Sequence, residues 1–243
     1  MNRVAVVTGA SGGIGAAICL CLARDGYDIA VHYQRNLTRA EALCEQLRAE
    51  GVQALPFEAD FASEEEIVAL FGGVAKRMGR IDVLVNNAGI LRQQMSLVSM
   101  SAERIREVLD INVVAPMICC REASAYLKRG SCIVNISSVA ATLGAPNEYV
   151  DYAASKAAID AMTVGLAKEL APQGIRVVGI RPGVINTDIH ASGGEPNRPG
   201  RVAKSVPLQR AGEPMEVAQL AAWLVSDAAS YITGTSIDVS GGR

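Results

Sequence analysis

Tyr152-Ala-Ala-Ser-Lys156, with Ser138 upstream, places a phenol, an ammonium and a second hydroxyl in one stretch of chain. On a helix spanning 149 to 171 the phenol and the ammonium fall at i and i+4, on one face and about one turn apart. A nearby ammonium favours phenolate, which predicts a tyrosine pKa drawn down from about 10 towards the working pH, as a general acid/base requires. These are the parts needed to move a proton onto or off a carbonyl oxygen. The same pair on an ordinary helix is a half-buried ring beside a solvated charge, so the surrounding elements must decide.

Those elements begin with Arg3-Val-Ala-Val-Val7, a short buried strand that runs straight into Thr8-Gly9-Ala10-Ser11-Gly12-Gly13-Ile14-Gly15. Ile14, Ala17, Ile18, Cys21 and Leu22 then recur at helical spacing, which sets the glycines at a strand-to-helix turn. Glycine lets backbone N–H groups approach a pyrophosphate, and the helix N-terminus adds partial positive charge. Strand-like runs follow at 28 to 33, 52 to 57, 81 to 85, 131 to 136, 175 to 180 and 236 to 239. Helical patterns lie near 13 to 25, 37 to 50, 63 to 78, 101 to 127, 149 to 171 and 213 to 227. Val/Ile-rich strands alternating with amphipathic helices predict an α/β fold, a Rossmann-type doubly wound sheet of about seven parallel strands with helices on both faces. Ligands of such sheets bind beyond the carboxyl ends of the strands. The glycine loop, Asn86-Asn87-Ala88-Gly89, Ser137-Ser138 and Pro182-Gly183 all fall there.

The 243 residues, half of them hydrophobic, suit a single domain over 1 to 243, with a small lid near 188 to 210, where Gly and Pro cluster at 191 to 200 and break the helical pattern. A net charge of −2 with no basic run gives no electrostatic footprint for nucleic acid or an anionic membrane. The first strand starts within a few residues of Met1 and no apolar run approaches a membrane span, so a cytoplasmic protein is expected. The six cysteines and two histidines, His32 and His190, show no metal spacing; reduced core cysteines and no metal are expected.

In this order and spacing, Thr-Gly-x-x-x-Gly-Ile-Gly, Asn-Asn-Ala-Gly, Ser, Tyr-x-x-x-Lys and Pro-Gly resemble the short-chain dehydrogenase/reductases over essentially the whole chain. The resemblance implies a catalytic tetrad of Asn112, Ser138, Tyr152 and Lys156. Tyrosine would protonate the carbonyl oxygen while nicotinamide delivers hydride, serine would orient that oxygen, and lysine would hold the nicotinamide ribose and lower the tyrosine pKa. Asn112 would anchor a water continuing the proton path. It further implies that Gly9, Ser11, Gly13, Ile14 and Gly15 cradle the cofactor. Asp60 would meet the adenine amino group, and Asn87, Ala88 and Gly89 would support its passage. Pro182, Gly183, Ile185 and Thr187 would lie by the nicotinamide carboxamide. A homotetramer is implied through helices 101 to 127 and 149 to 171 and the C-terminal 236 to 243.

Cofactor choice is read from Val31-His32-Tyr33-Gln34-Arg35-Asn36. No carboxylate waits there for a ribose 2′-OH, while Arg35 could pair bidentately with a 2′-phosphate, assisted by Ser11 and Asn36 and flanked by Tyr33. NADP is therefore expected ahead of NAD, although Gly12 stands where many NADP-preferring relatives carry a basic residue. The substrate is expected to be a small carbonyl or alcohol compound facing Leu91 to Met95, Val139 to Thr142, Glu148, Tyr149 and 188 to 205. Tyr149, in a segment one residue longer than in many relatives, has Ala153 where a lysine partner would be, which assigns it to the pocket rim or helix start. A 3-oxoacyl-[acyl-carrier-protein] reductase is the nearest alternative, with Lys128 and Arg129 as carrier contacts but Gln173 where relatives put an arginine. A non-catalytic NADP-sensing regulator is the second, and it would have no need of the tetrad.

Overall fold

Near-continuous runs of Val, Ile, Leu and Ala form strands that can only be satisfied with both faces covered. The computed structural model, which describes residues 2–243, places them as β1 (Val4–Val7), β2 (Asp28–Tyr33), β3 (Ala54–Glu58), β4 (Val83–Asn86), β5 (Cys132–Ile136), β6 (Arg176–Pro182) and β7 (Ser236–Val239). They form one parallel sheet of seven strands in the order β3-β2-β1-β4-β5-β6-β7. Every residue of β1, β4 and β5 is buried.

The helices are α1 (Gly13–Arg24), α2 (Leu37–Ala49), α3 (Glu64–Met78), α4 (Ala102–Leu109), α5 (Ala115–Ser124), α6 (Ala140–Leu143), α7 (Val150–Leu170), α8 (Ile189–Ser192), α9 (Arg198–Ala203) and α10 (Pro214–Val225). The inward stripes of α1, α2 and α10 build the core on one face of the sheet, and those of α3, α5 and α7 build the other. Between β1 and β4 the winding reverses direction, which opens a crevice at the carboxyl ends of the strands.

A continuous helix over 101 to 127 is not what forms. The chain leaves α4 into a wider π turn at Asp110–Val114 before resuming as α5. Pro116 has no N–H to give to the carbonyl of Asn112, so the regular ladder cannot close there. The turn carries Asn112, fully buried, to the base of the crevice.

The 191 to 200 stretch likewise departs from the irregular run expected of it, because α8 and α9 bracket it and Pro199 sits in the first turn of α9, where its missing N–H costs nothing. Val184, Val202 and Val206 pack into a small core of their own beneath this segment. All six cysteines are free thiols, and only Cys21 is partly exposed. No helix among the described residues is long and apolar enough to cross a membrane.

Candidate active site

At the carboxyl end of β1 the backbone takes conformations that side chains resist. Gly9 has φ +61° and Gly13 φ +54°. A Cβ on Gly9 would stand 2.9 Å from Ala88 Cα, and one on Gly13 would stand 3.2 Å from Thr187 Cγ2. Thr8 Oγ1 accepts from the N–H groups of Asn87 (2.9 Å) and Ala88 (3.0 Å), and Asn87 Nδ2 donates to the carbonyls of Thr8 (2.9 Å) and Gly9 (3.1 Å). Asn87 therefore spends its side chain on the loop itself.

His32 completes this frame. Its Nδ1 accepts from Gly9 N–H at 2.9 Å and its Nε2 lies 3.1 Å from the Ala59 carbonyl, while the ring stacks on Phe61 with centroids 4.3 Å apart. Only the neutral ring with its proton on Nε2 satisfies both bonds. Burial pushes its pKa down to about 4, against the opposing Ala59 bond. Nothing in sequence marked His32 for this, since a histidine near a strand end has no visible partner.

A cavity of about 1070 Å³ runs from this loop along the crevice. Its wall brings together Gly9, Ser11, Gly13, Ile14, Tyr33, Arg35, Asp60, Asn87, Ala88, Gly89, Ser138, Tyr152, Lys156, Pro182, Gly183, Ile185 and Thr187. Three expected site residues stand outside it. Gly15 is buried behind the loop, where a Cβ would come within 2.5 Å of Gly9 O, so it serves close helix packing. Asn36 caps α2, its Oδ1 accepting from Arg39 N–H at 3.0 Å. Asn112 lies beneath the wall. Asp60 lies on the wall with its Oδ1 already accepting from Gln34 Nε2 and Ala62 N–H, each at 2.9 Å. Arg39, four residues after Arg35, joins it on the wall with Nη1 3.3 Å from Asp188 Oδ2. That spacing at a helix start was the available sign of a second cation.

At the far end Lys156 is buried, its Nζ donating to the Ile136 carbonyl at 2.8 Å and lying 5.6 Å from the centroid of the Tyr152 ring. Ser137 Oγ is tied to the Lys156 carbonyl at 3.0 Å. Ser138 is therefore the hydroxyl that opens onto the cavity, with its Oγ also accepting from Ala140 N–H at 3.1 Å. Asn112 Oδ1 accepts from Ile90 N–H (2.8 Å), and its Nδ2 donates to Ile90 O (3.0 Å) and Ser155 Oγ (3.1 Å). Gly89 separates it from Lys156: a Cβ there would meet Asn112 Oδ1 at 3.2 Å and Lys156 Nζ at 3.5 Å. The start of α7 is anchored by Asp151, whose buried carboxylate pairs with Arg104 Nε at 2.8 Å.

The expected lowering of the Tyr152 pKa is overturned. Burial raises it to about 12, opposed by the Ser138 hydroxyl and the Arg198 charge. The Lys156 ammonium faces the Ile136 carbonyl and the ring, and burial pulls its own pKa down to about 8, with Asp160 opposing. Near neutral pH the pair is thus a protonated phenol beside a cation, poised to donate. Tyr149, the possible rival, is buried with its Oη 3.4 Å from the Gly193 carbonyl and stands at the N-cap position of α7, where the sequence had set it.

The neutral His32 carries a testable pH dependence. Its folded pKa is depressed, so between its unfolded value near 6.5 and about 4 the unfolded chain binds a proton the folded chain refuses, and stability falls as pH falls through that window. Chemical denaturation at about pH 6.5 and about pH 4.5 should show a loss of about 2 kcal/mol from this group that His32→Phe lacks. Equal pH slopes in the two proteins would contradict the assignment.

The family described as enoyl-(acyl carrier protein) reductase matches residues 9–243. The uncharacterized oxidoreductase YgfF of Escherichia coli (strain K12) is 49% identical over 245 residues, covering 99% of each chain. The 3-oxoacyl-[acyl-carrier-protein] reductase FabG of Staphylococcus aureus (strain Mu50 / ATCC 700699) is 37% identical over 244 residues, covering 100% of this chain and 98% of that one. A short-chain dehydrogenase from Burkholderia cenocepacia J2315, solved in complex with NADP, superposes with a TM-score of 0.91 at 37% identity, covering 99% of this chain and 97% of that one. With a seven-stranded parallel sheet, a glycine cradle and Ser138, Tyr152 and Lys156 on one cavity wall, the chain belongs to the short-chain dehydrogenase/reductase family, oxidoreductases of CH–OH and C=O groups.

Proposed function

We propose that this protein is an NADPH-dependent reductase of small carbonyl compounds, working reversibly on the corresponding alcohols, with Tyr152 as the general acid/base. The observation that carries this reading is that one cavity joins the glycine cradle to Ser138, Tyr152 and Lys156. The cradle fits a dinucleotide: Gly9 and Gly13, both at positive φ and without a Cβ, keep the strand-to-helix turn narrow and open to the cavity at the N-terminus of α1. Arg35 and Arg39 at its outer end, with no acidic residue at the end of β2, suit a 2′-phosphate, and the Burkholderia relative binds NADP.

Bound there, NADPH would supply hydride to the carbonyl carbon. Ser138 Oγ–H holds the carbonyl oxygen, and Tyr152 Oη gives its proton to that oxygen as negative charge develops. The phenolate left behind is stabilised by the Lys156 ammonium. Asn112, locking both backbone groups of Ile90 beside Gly89 and Lys156, frames the route by which the proton is replaced. A sensor without turnover would need the cradle alone.

The acyl-carrier-protein reductase reading draws on the FabG relative. Against it, Gln173 replaces the arginine expected of a carrier contact. A homotetramer is supported by apolar residues left open on the outer faces of α5 and α7, with Met117 47% and Val164 40% exposed, and by Trp223 on α10 at 43%.

NADPH oxidation against ketones, aldehydes, diketones and oxoacyl thioesters should show turnover that Tyr152→Phe lowers by roughly 10²–10⁴-fold; equal rates in both proteins would remove the proposed acid. The wild type should prefer NADPH to NADH in kcat/KM, and Arg35→Ala should narrow that preference by about 10-fold or more. A wild-type preference for NADH would overturn the cofactor assignment.

A further inference from the structure

Arg198, at the start of α9, has a side chain only 12% exposed, on the same cavity wall as Ser138 and Tyr152. Its Nη1 is sealed from water and ion-paired with Glu148 Oε2 at 2.6 Å and Glu195 Oε2 at 3.8 Å, but neither contact has the alignment of a hydrogen bond. A guanidinium offers five donors in a rigid fork, and here its charge is paired while the Nη1 donors stay poorly aligned.

Its neighbours do not depend on it. Arg201 bonds Glu195 through Nε and through Nη2 at 2.7 Å, and reaches Glu148 Oε1 with Nη2 at 3.1 Å. Gln94 Nε2 adds a bond to Glu195 at 2.6 Å. Both carboxylates therefore keep a cationic partner when Arg198 turns from them, which makes Arg198 the exchangeable cation of the cluster.

Its guanidinium carbon also lies over the Tyr149 ring, 5.1 Å from the centroid. Its charge reaches Tyr152, Tyr149 and His190. Arg92, also on the cavity wall, is closed by a two-point pair with Glu107. A second unpartnered buried atom stands on the same wall: His190 Nε2 is bonded to the Ile185 carbonyl at 2.8 Å, which leaves Nδ1 without a partner. His190 Nδ1 and the poorly aligned Nη1 of Arg198 thus give this wall polar atoms that a polar ligand could engage.

We propose that Arg198 grips a carboxylate of the substrate, so that the compound reduced is an oxo acid and the product its hydroxy acid. This rests on the reductase reading above. Arg198 binds the end of the molecule remote from the carbonyl, which Ser138 and Tyr152 hold.

The test is steady-state kinetics at saturating NADPH with straight-chain α-, β- and γ-oxo acids, each beside its methyl ester. For at least one position the wild type should favour the acid by about 100-fold in kcat/KM, mostly through KM, as expected when a bidentate charged pair is gained. Arg198→Met should bring acid and ester within about 3-fold, and Arg198→Lys should keep roughly a 10-fold preference, because an ammonium retains charge without the fork. If Arg198→Met does not fold, Arg198→Lys and wild-type inhibition carry the test: simple carboxylates should compete with substrate and the matching amides should not.

Equal use of acid and ester by the wild type at every position would overturn the assignment. So would an Arg198→Met variant that loses both alike together with thermal stability, since that is the behaviour of a clasp that only holds α9 down. Uncharged ketones separate the two readings. If they turn over in a Tyr152-dependent way while acids show no advantage, the reductase stands and the Arg198 assignment falls; if no ketone, acid or ester is reduced, both fall.

Discussion

The site depends on how closely the backbone leaving β1 can lie against the backbone leaving β4. A single Cβ on Gly9 would stand 2.9 Å from Ala88 Cα, and one on Gly15 would run into Gly9 O and Asn87 Nδ2. Their absence lets Thr8 and Asn87 sew the two strand ends together with four hydrogen bonds. The consequences reach in both directions. Towards β2 the loop leaves Gly9 N–H for His32 to accept, and towards β5 the same closeness leaves Gly89 pressed between Asn112 and Lys156. One steric constraint thus aligns the cradle with the reacting end.

At that reacting end burial acts on two groups in opposite chemical directions. It disfavours phenolate at Tyr152 and ammonium at Lys156, raising one pKa to about 12 and lowering the other to about 8. Here the ammonium is held on the Ile136 carbonyl and the phenol keeps its proton; in the proposed reaction the cation lies near enough to favour transfer once charge develops on a substrate oxygen. The buried Arg104–Asp151 pair and the π turn that seats Asn112 supply the rigidity this requires.

The sheet was legible because each strand is a short Val/Ile run bounded by turn residues, and the glycine loop because its spacing has one mechanical meaning. Tyr152, Lys156 and Ser138 were legible by type and spacing. The Tyr152 pKa was not, because it is set by burial, which a local i, i+4 pair does not reveal. The π turn was hidden in a strong helical pattern, although Pro116 marked the place where the ladder must fail. The capping role of Asn36 was not legible, because a residue that caps a helix and one that touches a ligand look alike in sequence. His32, Arg39 and Arg198 were missed or undervalued because their partners, Gly9, Asp188 and Glu148, lie 23, 149 and 50 residues away.

In the proposed reaction Lys156, as a cation, assists proton donation by Tyr152. Its most direct test is the pH dependence of kcat/KM for NADPH-dependent ketone reduction from about pH 6 to about pH 10, which reports the ionisations of the free enzyme. With Lys156 titrating at about 8 and Tyr152 staying protonated beyond that, the profile should be level at low pH and fall as pH rises through about 8, and Lys156→Met should be slow with no such fall. A wild-type profile that stays level to pH 10, or climbs through pH 8, would contradict the account.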